Sequence, residues 1–162
     1  MTTPLTATER YISPEVTKVY WVPTIADITA PQRAELDAGT DLTPEIAAMT
    51  GWEVAADRVA VPDLGTRFTG RISGRVNPGD AQITFYASQD TADVRDVLAR
   101  GDKGFIYIAD GGDVPTQKAR VFAVEVSAVT PTVDVAGTEA ARIMVDFSIT
   151  AAAEQVEIPA LT

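Results

Sequence analysis

The sequence predicts a mainly β protein, an antiparallel β-sandwich or rolled barrel of about seven strands with one flanking α-helix at about residues 91–100. Two observations support this prediction. Most apolar residues recur with a period of two, which is the spacing of half-buried strands, and only one segment has the i, i+3, i+4 spacing of a helix. The 162 residues suit one domain, residues 1–162.

The strands are predicted from local composition. Residues 16–23 form a β-branched and aromatic segment that ends at a proline, which is typical of a strand. Period-two alternation resumes at Gly51, and Pro78 and Gly79 fit the centre of a type II turn, so residues 67–88 are predicted to form a hairpin. Three more strands are expected after the helix, at residues 104–110, 118–129 and 141–150.

The helix is predicted from its apolar stripe and from its ends. Val94, Val97 and Leu98 share one face at helical spacing. Asp90 is a candidate N-cap, and Gly101 is placed to end the helix.

The carboxylates of this segment also have a structural explanation. Asp93 suits the positive end of the helix dipole, and Asp96 precedes Arg100 by four residues, which is a favourable ion-pair spacing. Both carboxylates are expected to face solvent, so a catalytic acid–base pair is not favoured. The glycines of "GDKG" follow the helix, whereas a phosphate-binding loop precedes one.

Residues 24–50 are predicted to be a long connection with short helical turns. Pro31 and Pro44 stand where first helical positions would be, and Thr43 is a candidate N-cap. The apolar residues of this segment need a surface to pack against, either their own domain or another chain. Trp21, in a strand-like context, is expected to be a packing or interface residue. The candidate assembly residues here are Trp21, Leu36, Leu42, Ile46 and Met49.

Three arginines share one face of the strand predicted around residues 67–76. Arg67, Arg71 and Arg75 recur at every fourth residue, which places successive side chains about 13 Å apart. Such a row can meet phosphates or the carboxylates of a partner, or it can pair with the surplus acid of its own chain. We therefore add these arginines to the candidate assembly interface.

The composition excludes several classes of site. The chain has no cysteine and no histidine, which removes disulfides, thiolate metal sites, and catalysis by an imidazole. With 13 basic and 23 acidic residues the net charge is −10, which opposes binding to DNA or to an anionic membrane. No segment of about 18 consecutive apolar residues occurs. We expect no enzymatic activity, no cofactor, no metal and no membrane partner.

Five stretches between Lys18 and Ala151 follow one another in a distinctive order: KVYWVPTIAD, APQRAELDAGTDLTPEIAAMTGW, PDLGTRFTGRISGR, ITFYASQDTADVRDVLARGDKGFIYIADGGD and EAARIMVDFSITA. In this order and spacing the chain resembles the tail tube (major tail) proteins of long-tailed bacteriophages, especially those of actinobacterial phages. The resemblance implies a structural virion protein. Its subunits would form hexameric rings that stack into the tail tube, the conduit for genome ejection.

The resemblance also implies partners and a location. The protein would bind itself and other phage tail proteins, such as the tape measure, tail tip and terminator proteins. DNA would pass through the tube without specific binding, and the subunits would assemble in the host cytoplasm before they become part of the virion tail. An acidic subunit agrees with this expectation, because a lumen lined by arginine would retain DNA.

The residues at 151–162 can form either a last edge strand or an arm. The resemblance implies assembly elements as well: the counterparts of the stacking elements would be an N-terminal arm at residues 1–15, the connection at residues 24–50, and a C-terminal arm at residues 152–162; in some relatives the stacking loop belongs to a later hairpin. The inner sheets of a ring would line the lumen. The candidates for the lumen-facing side chains are Glu125, Ser127, Asp146 and Ser148.

Two alternatives come from other classes of protein. A carbohydrate-binding or virion decoration β-sandwich would need exposed aromatic residues on its loops, whereas both tryptophans lie in strand-like contexts. A glycosidase would need two carboxyl groups about 5–9.5 Å apart in a cleft, and nothing in the sequence nominates such a pair.

Overall fold

A computed structural model describes residues 2–90 and 93–161. Nine strands dominate this part of the chain, together with one short α-helix and two 3₁₀ turns. The strands are β1 Lys18–Val22, β2 Thr40–Asp41, β3 Ile46–Thr50, β4 Val54–Val61, β5 Gly70–Pro78, β6 Ala81–Tyr86, β7 Lys103–Ala109, β8 Lys118–Thr132 and β9 Arg142–Glu157. The helix is α1 Arg33–Asp37, and the 3₁₀ turns are Thr43–Glu45 and Val94–Asp96.

Seven strands form one curled antiparallel sheet in the order β2-β1-β7-β8-β9-β6-β3. The two longest strands, β8 and β9, have 15 and 16 residues and lie at its centre. The prediction of a mainly β, rolled antiparallel fold is confirmed. The remaining strands, β4 and β5, pair only with each other.

The sheet has a core on each face, because successive buried residues in the central strands β7 and β8 point to opposite faces. The main core contains cross-strand pairs such as Ile106 with Phe122 and Ile83 with Val145, and Trp52 packs edge-on against the Phe122 ring. The second core lies on the opposite face, where Tyr107 is paired with Val121. It is completed by residues from other segments: Val22, Ile25, Leu36, Val156 and Ile158.

The hairpin predicted at residues 67–88 is wrong, because β5 pairs with β4 while β6 pairs with β3 and β9. The burial of β6 explains this choice: Ala81, Ile83 and Phe85 are all buried, so this strand belongs to the central sheet. The Pro78–Gly79 corner therefore links two sheets. There the Gly79 N–H donates to the Glu53 carbonyl at 2.9 Å.

A glycine is required at the base of this β4–β5 hairpin. Gly51 has a φ of 74°, and a Cβ at this position would lie 1.9 Å from the Asp80 carbonyl oxygen. The backbones of the two segments that connect the hairpin to the sheet, at Gly51 and Asp80, are therefore in direct contact.

The helix predicted at residues 91–100 is also wrong for the residues that the structure describes. Residues 93–100 form only the 3₁₀ turn Val94–Asp96, and Thr91 lies outside the described residues, as does Ala92. Other acceptors take the N–H groups that would extend a helix: the Ala99 N–H donates to the Asp102 carboxylate, and the Gly101 N–H donates to the Val126 carbonyl. Asp93, rather than Asp90, caps the turn.

The connection at residues 24–50 contains two strands in addition to its helical turns. β2 and β3 occupy the two edges of the seven-stranded sheet. The helix α1 begins after Gln32, which forms a capping box with Glu35. Thr43 lies inside a 3₁₀ turn instead of capping it, and its hydroxyl oxygen accepts a hydrogen bond from the Val19 N–H at 3.0 Å.

Candidate functional site

The β4–β5 hairpin exposes an apolar face to solvent. Val59 lies directly opposite Ile72, and these side chains are 47% and 61% exposed. Val76 on the same face is 59% exposed, and the loop that joins the strands adds exposed Leu64 and Phe68. An isolated two-stranded hairpin is marginally stable in water, and a contiguous apolar patch is typical of a protein interface. This surface is the strongest candidate for an assembly contact.

The opposite face of the hairpin is basic. Arg71 and Arg75 alternate with Ile72 and Val76 along β5, and Arg58 is paired with Ser73 across the hairpin. Arg67 lies in the loop before β5 and not on the strand. None of these four arginines belongs to an ion pair among the described residues.

Two arginines that lie against the sheet are paired within the chain. Arg120 forms two hydrogen bonds to the Asp110 carboxylate, at 2.9 and 2.6 Å, and donates a third to the Trp52 carbonyl. Arg33 bonds Asp113 at 2.8 Å and Asp37 at 3.0 Å. The hairpin therefore concentrates cationic groups that form no ion pair with any residue that the structure describes.

The apolar candidates of the connection pack within the chain. Trp21, Leu36 and Leu42 are all buried, and Ile46 and Met49 are half-buried against the main core. Their apolar surface is therefore already largely covered. Trp52 is buried as well, so neither tryptophan presents an exposed ring for stacking against a ligand.

The four lumen candidates share one face of the sheet, because they alternate with buried residues of the main core on β8 and β9. Ser127 and Ser148 are hydrogen-bonded to each other at 2.6 Å. Asp146 accepts a hydrogen bond from Gln82 at 2.7 Å, and Glu125 lies 3.7 Å from the Lys103 ammonium. This face is polar and partly neutralised by its own side-chain pairs.

Both ends of the chain were expected to be arms. Residues 2–12 lie outside helices and strands and are exposed, and their large apolar side chains, Leu5, Tyr11 and Ile12, face solvent. The C-terminal segment differs from the expected arm, since β9 runs to Glu157 and both Val156 and Ile158 are buried. Residues 152–158 are therefore part of the folded sheet and its second core.

Asp93 is a buried carboxylate that sequence reasoning placed in solvent. It is 7% exposed, caps the Arg95 N–H at 2.9 Å, and receives two further hydrogen bonds from the Arg95 guanidinium. These bonds from Arg95 lower the pKa of Asp93 to about 2. A carboxylate held in this way is poorly suited to accept a proton near neutral pH.

A second polar cluster fixes α1 to the sheet. The Tyr20 hydroxyl donates to Asp113 at 3.2 Å, and the same carboxylate pairs with Arg33 of α1. Burial, followed by the charge of Asp113, raises the pKa of Tyr20 to about 12. Tyr107 stacks on the Tyr20 ring, and burial likewise raises its pKa. The cluster therefore consists of neutral phenols beside a stable ion pair.

Across residues 2–90 and 93–161 no group of three or more acidic side chains is arranged to ligate a metal ion. In the same residues no helix combines the length and apolar character needed to cross a membrane.

Comparison with known proteins identifies the family. A family model described as "phage tail tube protein" matches residues 5–160, which is nearly the whole chain. The chain belongs to the phage tail tube protein family. No protein with a curated description matches its sequence.

Solved structures support the fold of this tail tube protein. The tube of phage SPP1 has 16% sequence identity and a TM-score of 0.59, covering 91% of this chain and 81% of the SPP1 chain. A sheath/tube terminator of an extracellular contractile injection system has 12% identity and a TM-score of 0.64, covering 93% of this chain and all of its own. The sheath–tube complex of such a system has 12% identity, a TM-score of 0.61, and coverages of 91% and 93%.

The exposed apolar face of the hairpin in this tail tube protein was only partly predicted from sequence. The arginine face of strand β5 was predicted, but the strand was paired with the wrong partner, within a hairpin at residues 67–88. The contribution of Val59 in β4 was missed. The sequence did contain one signal: Gly70 and Gly74 lie in the same strand, and glycines weaken the packing of a strand on a core.

Proposed function

We propose that this tail tube protein forms hexameric rings that stack into a tube, and that the β4–β5 hairpin makes the contact between rings. Membership of the family gives the structural role in the tail tube. The observation that supports the role of the hairpin is its exposed apolar face, centred on Val59, Ile72 and Val76. Burial of these side chains against a neighbouring subunit would remove their apolar surface from water, and this gain in free energy would favour the contact.

The polar face of β8 and β9 is the proposed lining of the lumen. Glu125, Ser127, Asp146 and Ser148 supply carboxylates and hydroxyls there, and the net charge of −10 repels the DNA backbone. DNA would therefore pass without specific binding during genome ejection. The unpaired arginines of the hairpin would lie away from this surface.

The same proposal implies contacts with other tail proteins. Tape measure, tail tip and terminator proteins would contact the inside and the ends of the tube, and assembly would take place in the host cytoplasm. Two of the solved structures with a similar fold come from assemblies of a tube with a sheath or a terminator. The proposed subunit makes no enzymatic contribution to these steps.

Electron microscopy of the purified protein tests the proposal. Wild-type protein should form stacked rings with a central channel. The double variant Val59→Ser and Ile72→Ser should keep its thermal midpoint but lose tubes, because both side chains are exposed in the free subunit and would be buried between rings.

A control uses two apolar side chains elsewhere that are even more exposed than Val59 and Ile72. Val133→Ser combined with Val135→Ser changes the loop between β8 and β9, where both side chains are exposed. This control should polymerise like the wild type. If the hairpin variant forms tubes as well as the wild type, the hairpin does not make the contact between rings. If the wild-type protein stays monomeric under all conditions, the proposal of a tube is wrong.

A further inference from the structure

We infer that the arginine face of the β4–β5 hairpin docks into an acidic-rimmed apolar groove on a second copy of this chain. The groove lies between residues 40–45 and residues 93–97 and has a volume of about 340 Å³. This inference rests on the proposed stacking role of the hairpin. The inference identifies the groove as the surface of the neighbouring copy that the hairpin contacts.

The groove is apolar inside and acidic at its margin. Its lining includes buried Leu42 and half-buried Val97. Exposed carboxylates stand around it, from Asp41, Glu45 and Asp96. None of these three forms an ion pair among the described residues, although the Asp41 carboxylate accepts the Thr43 N–H at 2.9 Å. The rim is therefore negatively charged.

The hairpin has the complementary chemistry. Between Val54 and Pro78 it carries four arginines and two aspartates, although the whole chain carries an excess of ten negative charges. Arg71 and Arg75 are unpaired and lie on one face, about 13 Å apart along the strand. The methylene stem of an arginine packs well on an apolar surface while its guanidinium bonds carboxylates at the margin. An apolar floor with an acidic rim fits such a side chain.

Another acidic groove of the chain is less suitable. The groove beside the β8–β9 loop contains Asp134 and Glu139. The Asp134 carboxylate already accepts N–H groups from Ala136, Thr138 and Glu139, and Glu139 pairs with Arg142 at 3.4 Å. Its carboxylates therefore have partners within the chain, whereas those of Glu45 and Asp96 form no ion pair or side-chain hydrogen bond among the described residues.

The two surfaces imply the form of the assembly. The hairpin and the groove are different patches of one chain, so the contact between copies is head-to-tail. Each copy can place its hairpin in the groove of one neighbour and accept the hairpin of another in its own groove. Such a contact propagates from ring to ring. It also offsets the repulsion between subunits that each carry a net charge of −10, because it brings unlike charges together at the contact.

Charge reversal on each side tests the docking. Arg71→Glu with Arg75→Glu should raise the critical concentration for tube formation roughly tenfold or more at low salt, and Glu45→Arg with Asp96→Arg should do the same. All four side chains are exposed, so the thermal midpoints should stay near that of the wild type. A chain with all four changes should recover most of the loss, because the unlike charges are restored with their positions exchanged.

The control for net charge is Arg100→Glu with Lys118→Glu. These exposed residues lie outside both surfaces, and the pair makes the same change of charge as the hairpin reversal. The inference is overturned if the hairpin reversal weakens assembly no more than this control, or if the fourfold variant is no better than the two double variants. In both cases wild-type tubes would leave the proposed function intact.

Cross-linking gives a second measurement that does not alter the charges. The chain has no cysteine, so Ser73→Cys in the arginine face and Thr40→Cys at the groove can be made in separate chains and mixed. Oxidation joins cysteines only when their Cα atoms approach within about 7 Å, and a mixed dimer can arise only between copies. We expect this dimer in tubes, and far less of it when Ser148→Cys replaces Thr40→Cys. Tubes without the mixed dimer would show that the groove receives something else, such as the N-terminal arm.

Discussion

At the scale of single residues, Asp93 shows how a charge pattern can have a structural cause. The sequence places four aspartates in a short segment, and the solvent-facing position expected for Asp93 is wrong. Its carboxylate is buried and bonds the backbone and the guanidinium of Arg95, two residues later. Local pairing of this kind leaves no periodic signal, since i and i+2 do not share a helix face. Sequence reasoning therefore could not distinguish Asp93 from its exposed neighbour Asp96.

We predict that Asp93→Asn destabilises the fold by about 1–3 kcal/mol at pH 7, because it removes a charge-assisted pair at a buried site. Asp96→Asn, in the same turn but exposed, should change stability by less than about 0.5 kcal/mol. Urea unfolding of both variants measures this difference. Equal midpoints for the two variants would contradict the role of the buried carboxylate.

The same carboxylate predicts a dependence of stability on pH. Its pKa is about 2 in the folded chain, below the ordinary value of 3.8, so the folded state favours the ionised form. The resulting stabilisation is fully present above about pH 4 and is lost as the pH falls towards 2. The difference in urea midpoint between wild type and Asp93→Asn should therefore shrink over that range. A constant difference from pH 7 to pH 2 would show that ionisation of Asp93 does not matter.

At the scale of elements, the strands were predictable but several of their partners were not. Alternation of buried and exposed residues located the strands around Ile106, Phe122 and Val145, because packing on a core imposes a period of two. The turn residues Pro78 and Gly79 specify a corner, but they do not specify whether the flanking strands pair. That choice depends on burial of β6 in the sheet, which is a tertiary effect. The apolar residues of the expected helix do pack on the core, but no helix forms there. The Ala99 and Gly101 N–H groups bond Asp102 and Val126 instead of carbonyls of a helix.

Leu98 tests whether this turn is held by packing. It is 1% exposed in the main core, whereas its neighbour Val97 is only half-buried. We expect Leu98→Ala to lower the free energy of unfolding by about 2–5 kcal/mol, and Val97→Ala to cost clearly less. Thermal and urea unfolding provide the measurement. A larger effect at Val97 would mean that the turn presents a different face to the sheet.

At the scale of the whole molecule, the chain separates a folded body from extensions that the body does not need. The body buries two cores on the two faces of one sheet, and residues 2–12 contribute no buried side chain to either. We predict that deletion of residues 2–12 leaves the thermal midpoint within about 2 °C of the wild type, since exposed segments add little stability. If this arm joins rings, the same deletion should shorten or abolish tubes in electron micrographs. Truncated protein that polymerises normally would restrict ring contacts to other surfaces.

The charge of the whole subunit gives the last prediction, which concerns salt. Subunits of charge −10 repel one another at long range, and this repulsion is screened once the Debye length falls to about 10 Å or less. Contacts between the hairpin arginines and a partner's carboxylates are partly dehydrated, so salt weakens them less. Raising the salt from about 20 mM to about 500 mM should therefore lower the critical concentration for tubes.

The variant Arg71→Glu with Arg75→Glu tests the same argument. Each substitution changes the charge by −2, so the net charge goes from −10 to −14, and assembly of this variant should depend on salt more steeply. Light scattering across this range measures both slopes, and tubes that dissolve as salt rises would show that contact attraction, and not long-range repulsion, controls assembly.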